Sequence, residues 1–352
     1  DGVSIGDIVA DMFEDSFLDR PIAVHVLAVA GDTAYTQWVR LRLAIRTSVP
    51  DVPGVILIYT GHNDAAFSNG DQESVGCATE LARSLTPHSV LLLRASLGLR
   101  RLLNRSGADY PDAYQYYLGA IIKEGLDRGL VPMVSTVIGN LSDVEPTYYP
   151  EMRERVRPVL VELTPKIEAG RCEGLQTELA ERLPEAQGKE AFVRYEYGRC
   201  LRQAGRCADA LEPFWDAVDL DPGGYFSRAT RSQNAIVKHL AQAVGIPLVD
   251  SVARFAREST IACVGADLFA DGHHPNLRGH ILIAEEFAEA MADRFGETIR
   301  HHFRGDAESL MREWGVRPIP PLVTSGYWLI TAGTGDVWTR NRLRMALSHF
   351  RH

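Results

Sequence analysis

The sequence predicts an α/β fold in which helices cover both faces of a parallel sheet. Continuous apolar runs rich in β-branched residues, typical of strands buried on both faces, recur along the chain. Segments with helical spacing of their apolar residues lie between these runs, and strands that alternate with helices form parallel sheets. The chain has 352 residues, of which 45% are hydrophobic, and this length favours about two domains.

The elements follow in order from the N-terminus. An amphipathic helix is predicted from Ile5 to Leu18, with Ser4 as its N-cap. Buried strands are predicted at residues 22–30, 54–60, 131–138 and 246–250. Helices are predicted at residues 78–84, 91–103, 112–128 and 281–295. Ligands of parallel sheets bind beyond the carboxyl ends of the strands, so the residues after each strand are the candidates for chemistry.

A helical insertion is predicted over residues 149–222, because the gap between the third and fourth strands is too long for one crossover. Part of it follows the tetratricopeptide pattern, at Gly198, Leu201, Ala210, Phe214, Ala217 and Pro222. Leu201 replaces a tyrosine of that pattern, and an ordinary helical hairpin is the alternative. The insertion would divide an α/β core into residues 1–148 and 223–297, and residues 298–352 would form a helical C-terminal extension.

Charge and cysteine content exclude several classes of function. The formal net charge is −9, whereas proteins that bind the nucleic-acid backbone need a basic face. The sequence contains no apolar stretch long enough to span a bilayer. The five cysteines are an odd number without a CxxC pair, a pattern that favours reduced thiols in a cytoplasmic protein and gives no zinc signature.

A candidate acid–base pair lies near the end of the predicted core. Asp271 precedes His274 by three residues, so its carboxylate can hold Nδ1–H of the imidazole while Nε2 serves as a general base. A solvated histidine in a turn is the alternative. His273 and His280 could extend the pair into a metal cluster, and zinc is the weaker interpretation of these residues.

Two further blocks follow predicted strands. The Asn63 amide can donate a hydrogen bond to an oxyanion, and the Gly31 N–H can point at the same charge. The block at residues 61–64 is also rich in turn-forming residues, so a simple turn is its alternative. His62 would tune this oxyanion site or face solvent. Arg228 would bind an anionic group of a substrate or form a structural ion pair.

Taken together and in this order, the three blocks resemble those of the SGNH hydrolases, also called GDSL-type esterases. The resemblance covers about residues 1–148 and 223–297, and residues 139–143 are similar to the subgroup that carries tetratricopeptide insertions. It implies a flavodoxin-like three-layer core. It also implies Asp271 and His274 as members of a Ser-His-Asp triad, with Gly31 and Asn63 forming the oxyanion hole.

The nucleophilic serine of that family is not identifiable in this sequence. Ser4 lies midway between Gly2 and Gly6, which matches a Gly-x-Ser-x-Gly pattern. A nucleophile elbow requires an apolar strand before its serine, and none precedes Ser4 in this sequence. In the family, the strand that carries the nucleophile lies between those predicted here at residues 22–30 and 54–60. We therefore expect residues before Asp1 to supply this strand and its serine, or else the two strands to pair directly in an inactive relative.

The resemblance implies a serine esterase that hydrolyses an acyl or acetyl ester and needs neither a metal nor an organic cofactor. An acyltransferase with the same residues is one alternative. A catalytically inactive scaffold, which would bind a peptide or protein partner through the helical insertion, is the other. The expected substrate is a small-molecule or carbohydrate ester. Nucleic acid is not an expected partner, and no membrane span is expected.

Overall fold

The computed structural model describes residues 4–29, 31–47, 53–66, 110–147, 150–221, 227–260, 263–303 and 311. The helices predicted at residues 78–84 and 91–103, and nearly all of the predicted C-terminal extension, lie outside this part. The chain divides into two compact units. The first consists of residues 1–137, 231–251 and 283–302, and the second of residues 138–230, 252–282 and 303–352.

Helices dominate the described part, and the strands are short. The helices are α1 Ile5–Met12, α2 Ala34–Thr47, α3 His62–Ala66, α4 Tyr110–Asp127, α5 Pro150–Glu168, α6 Leu175–Arg182, α7 Lys189–Gln203, α8 Cys207–Leu220, α9 Arg231–Val244, α10 Ser251–Glu258 and α11 Leu277–Phe295. The strands are β1 Ser16–Phe17, β2 Arg20–Pro21, β3 Val55–Ile58, β4 Val131–Ser135 and β5 Leu248–Val249. None of these helices is both long and apolar enough to cross a membrane.

The first helix begins where the sequence predicts and ends earlier. Ser4 is the N-cap, its Oγ accepts the N–H of Asp7 at 3.1 Å, and Asp7 completes a capping box. The prediction of Ser4 as a cap is confirmed. Helix α1 stops at Met12 rather than at Leu18, because the backbone turns with positive φ at residues 14 and 15 and forms the antiparallel pair β1–β2.

Residues 22–29, the described part of the strand predicted at residues 22–30, do not form the buried strand that their composition predicts. Residues 22–29 carry no strand assignment, and Val26 and Val29 are 57% and 50% exposed. Within the described residues no strand pairs with this segment, and only β4 pairs with β3. The prediction failed because a β-branched run becomes a buried strand only where neighbouring strands take up its N–H and C=O groups. The alternative of direct pairing between residues 22–29 and β3 is also not observed in the described part.

The first unit contains a parallel sheet of order β3-β4-β5. Val55 lies opposite Val131 in the first pair, and Ser135 lies opposite Val249 in the second. Helices α2, α4 and α9 pack with this sheet through one buried cluster of mostly aromatic and aliphatic side chains, which includes Tyr35, Trp38, Tyr117, Ile58, Val134 and Val237. The sheet is shorter than predicted: the strands expected at residues 54–60, 131–138 and 246–250 are observed only at 55–58, 131–135 and 248–249.

The second unit is built around the helical insertion. Helices α5, α6 and α7 share a core that includes Val156, Leu179 and Phe192. Helices α7 and α8 are joined by a short turn, and a Cβ at Gly198 of α7 would lie 2.9 Å from the Phe214 ring of α8. Glycine at this position therefore lets the two helices approach closely. The insertion is helical as predicted, and its assignment as a tetratricopeptide repeat stays a prediction.

Four of the five cysteines form disulfides, so the prediction of reduced thiols is wrong for them. Cys172 pairs with Cys200, and Cys207 pairs with Cys263, with Cα–Cα distances of 5.6 and 5.3 Å. The partners are 28 and 56 residues apart in sequence, so no short sequence motif predicts either disulfide. Cys77 lies outside the described residues.

Candidate active site

The structure brings Asp271 and His274 into a hydrogen-bonded pair. Asp271 Oδ2 lies 2.7 Å from Nδ1 of His274, and Oδ1 accepts the backbone N–H groups of His273 and His274, each at 2.9 Å. The carboxylate side chain is 8% exposed, whereas the imidazole is 47% exposed. Because Asp271 holds Nδ1, Nε2 is the ring nitrogen that remains for the role of a general base.

Asp271 is ionised in this pair. Burial raises its pKa, but the hydrogen bonds and the charge of His274 outweigh burial and lower the pKa from 3.8 to about 2. A carboxylate that stays charged at neutral pH can hold Nδ1–H of an adjacent imidazole and can stabilise the imidazolium form of that ring.

The residues after His274 fix the loop to the following helix. Asn276 Oδ1 accepts the N–H of Gly279 at 3.0 Å and thereby caps the first turn of α11. A Cβ at Gly279 would lie 2.5 Å from the backbone oxygen of Leu268, so this turn packs against the loop that precedes Asp271. The residues that follow His274 therefore place it just before a capped helix.

A metal ion is the alternative occupant of this loop. Single ligand atoms of Asp271, His273 and His274 lie within 4.8 Å of one another. However, three N–H donors already occupy the two oxygens of Asp271. The donor set thus fits an acid–base pair better than a metal centre.

Arg228 braces the segment that lies beside this loop. It is 3% exposed, and its Nη1 donates to the backbone oxygens of Asn140 and Val144 at 3.0 and 3.1 Å. The Asn140 N–H in turn donates to the Gly272 oxygen at 2.9 Å. These two hydrogen bonds to the main chain are structural, and the charge of Asp221 also acts on this guanidinium. The predicted role in substrate binding stays a prediction.

In the first unit, the block at residues 61–64 contacts the turn that contains Gly31. Asn63 Nδ2 donates to the backbone oxygen of Asp32 at 3.0 Å, and Asp64 Oδ1 accepts the N–H of Ala34 at 3.1 Å. Gly31 has φ of +82°, a conformation that glycine adopts without strain. The structure thus joins the two blocks that were predicted separately. One amide N–H of Asn63 is used in this contact, and the amide group carries two such donors.

Asp64 is a residue for which the sequence suggested no role. Burial raises its pKa from 3.8 to about 7, although the N–H groups of Ala34 and of Asp64 itself lower it. Its carboxyl group lies at the first residue of α2, where a helix N-terminus favours negative charge. The signal in the sequence was an acidic residue directly after the candidate oxyanion donor.

His62 is buried, with 9% of its surface exposed, so the alternative that it faces solvent is wrong. Its ring lies 6.0 Å from the Tyr59 ring in an edge-on arrangement. The backbone oxygen of the preceding residue, Gly61, accepts a hydrogen bond from Nε2 of Gln233 at 2.8 Å. His62 is thus part of the packed end of β3, and its tuning of an oxyanion site stays a prediction.

The predicted site residues fall into two groups. Gly31, His62 and Asn63 belong to the first unit, and Asp271, His274 and Arg228 belong to the second. No protein-family model, curated protein or solved structure matches this chain. The chemistry that each group can perform therefore rests on its own contacts: proton transfer at His274, and hydrogen-bond donation near Gly31 and Asn63.

Proposed function

We propose that the protein is a serine-type hydrolase of acyl or acetyl esters, with a flavodoxin-like core of the SGNH type. The observation that carries the proposal is the 2.7 Å contact between the buried carboxylate of Asp271 and Nδ1 of the half-exposed His274. A solvated histidine in a turn has no need of an ionised, buried partner. An acid–base catalyst requires one to hold its tautomer.

Each residue has one role in the proposed reaction. Nε2 of His274 takes the proton of the attacking hydroxyl group, and the ester carbonyl becomes a tetrahedral oxyanion. The amide of Asn63 and the N–H of Gly31 are the proposed donors to that oxyanion. His274 then returns the proton to the departing alkoxide, which leaves as an alcohol. Water then attacks the acyl-enzyme while His274 takes a proton from it. His274 returns this proton to the nucleophile, and the acid is released. The serine nucleophile is unassigned.

Hydrolysis of chromogenic acetyl and butyryl esters tests the proposal. We expect His274→Ala to lower kcat at least about 1,000-fold, as removal of a catalytic base does, with Asp271→Asn nearly as severe. His239→Ala is the matched control, because His239 is an exposed histidine on α9. Equal turnover by His274→Ala and His239→Ala would refute the proposal.

The same assay separates the two alternatives. An acyltransferase would transfer the acyl group to an added alcohol faster than to water, which product analysis detects. A scaffold that binds peptides through residues 149–222 would turn over no ester at all. Asn63→Ala is expected to lower kcat by about 100-fold or more with little change in KM, since an oxyanion donor acts only in the transition state.

We further propose that the protein works in an oxidising compartment. The predicted cytoplasmic location rested on reduced thiols, and the two disulfides remove that support. Alkylation of the protein in its native cells, before and after reduction, provides the test. Four cysteines that react only after reduction are expected, and four that react before it would refute this location.

A further inference from the structure

One disulfide joins the helical insertion to the loop that carries Asp271 and His274. Cys207 is the first residue of α8, and Cys263 lies at the start of the loop formed by residues 263–276. Both cysteines are buried, at 8% and 0% exposure. Turns and one isolated bridge, rather than a helix or a strand, make up the loop. Its position therefore depends on contacts at its two ends and along its side.

The start of the loop is also bonded to the segment formed by residues 139–144. The backbone oxygen of Val264 accepts the N–H groups of Leu141 and Ser142 at 3.0 and 3.1 Å. The N–H of Ala266 donates to Oδ2 of Asp143 at 2.8 Å. At its other end the segment contacts Gly272 through the Asn140 N–H, so residues 139–144 bridge both ends of residues 263–272.

Helix α7 of the insertion holds the same segment from another side. Arg202 Nη1 donates to Oδ1 of Asp143 at 2.6 Å and to the backbone oxygen of Ser142 at 3.2 Å. Tyr195 Oη donates to that same Ser142 oxygen at 3.2 Å. The far end of the segment meets the acid–base loop directly, because the Asn140 N–H donates to the Gly272 oxygen at 2.9 Å. A continuous set of bonds thus runs from the insertion to the residue next to Asp271.

We propose that the Cys207–Cys263 disulfide is a positioning element that anchors residues 263–276 to the insertion and keeps Asp271 and His274 in their paired geometry. The catalytic form of this inference rests on the proposed function. Opening the bond with a dithiol reductant would transfer two electrons and two protons to the cysteines, with the reductant oxidised to its own disulfide. Both thiols would remain, and the loop would lose its covalent anchor.

The second disulfide offers a matched control inside the same unit. Cys200 lies in α7 and belongs to the core shared by α5, α6 and α7, and Cys172 packs against that core. This bond closes the insertion on itself. Among the residues that the structure describes, no hydrogen bond joins Cys172 or Cys200 to residues 263–276, so loss of this disulfide removes a crosslink of similar chemistry without releasing the loop.

The experiment compares two double variants of the full chain. Cys207→Ser with Cys263→Ser is expected to lower kcat for ester hydrolysis by about ten- to 100-fold, since small displacements of reacting groups have effects of this size. KM is expected to change less than about two-fold. Cys172→Ser with Cys200→Ser is expected to lower the melting temperature and leave kcat within about two-fold of the wild-type value. Equal losses of kcat in the two double variants would overturn the proposal.

Hydrogen exchange measures the same effect without any turnover. We expect the amides of residues 268–274 to exchange at least about ten-fold faster when only the Cys207–Cys263 bond is lost. If the wild-type protein hydrolyses no ester, the proposed function fails, while this exchange difference still decides whether the disulfide holds the loop. Unchanged exchange there would overturn the inference. Should the Cys207/Cys263 variant not fold, reduction of the folded Cys172/Cys200 variant opens the remaining bond for the same measurement.

Discussion

Replacing Asp64 by asparagine is expected to remove a loss of stability that occurs as the pH rises. The carboxyl group of Asp64 has a folded pKa of about 7 against a model value of 3.8, chiefly because burial penalises its charged form. Between these two values the folded protein binds more protons at this group than the unfolded chain does. The free energy of unfolding must therefore fall across this range and level off above pH 7.

The size of the effect follows from the pKa difference. A shift of roughly three units corresponds to about 4 kcal/mol at about 1.36 kcal/mol per unit, and this is an upper figure because the side chain keeps some contact with water. Asparagine retains an oxygen that can accept the Ala34 N–H, but it cannot ionise. The stability of Asp64→Asn relative to the wild-type protein is thus expected to improve by about 2–4 kcal/mol between pH 4.5 and pH 8.

Urea unfolding at half-unit pH intervals provides the measurement. His273 contributes in the opposite direction, because burial lowers its folded pKa to about 4 and stability from that group rises with pH. This contribution is common to both proteins, so it cancels in the difference between variant and wild type. Asp127→Asn is the control, since Asp127 is a surface carboxylate of α4 with 59% of its side chain exposed. Parallel stability profiles for Asp64→Asn and the wild-type protein would refute the reasoning.

Two further predictions concern close packing and the buried arginine. Gly279→Ala is expected to destabilise the protein by about 1–3 kcal/mol, because its Cβ would lie 2.5 Å from a backbone oxygen. Gly119→Ala in α4 is the control and should be neutral or stabilising, since the nearest atom to its Cβ is 3.9 Å away. Thermal unfolding compares the two variants. Arg228→Met is expected to cost about 2–4 kcal/mol in urea unfolding, since two backbone oxygens lose their donor. Unchanged stability of Gly279→Ala would contradict the assigned packing, and unchanged stability of Arg228→Met would contradict the assigned hydrogen bonds.

Local sequence was sufficient where the interaction partners are close along the chain. Ser4 caps α1 through Asp7, three residues away, and Asp271 reaches His274 over the same spacing. Both arrangements were predicted because short spacings place side chains within hydrogen-bond distance almost regardless of the surrounding fold.

Prediction failed where a residue's state depends on distant partners. The apolar run at residues 22–29 has the composition of a buried strand, yet in the described part no neighbouring strand pairs with it. The four paired cysteines carry no local signal, because segments 28 and 56 residues apart in sequence bring them together.

The sequence by itself determined the capped first helix, the helical insertion and the spacing of the Asp271–His274 pair. Only the tertiary structure decided that Asn63 and Asp64 form hydrogen bonds with the turn after Gly31. It also decided that Arg228 bonds to the segment beside the acid–base loop and that a disulfide holds the start of this loop. The physical reason is the range of the forces involved. Capping and side-chain periodicity act over three or four residues, whereas burial, pKa shifts and disulfide pairing depend on which distant segments the fold packs together.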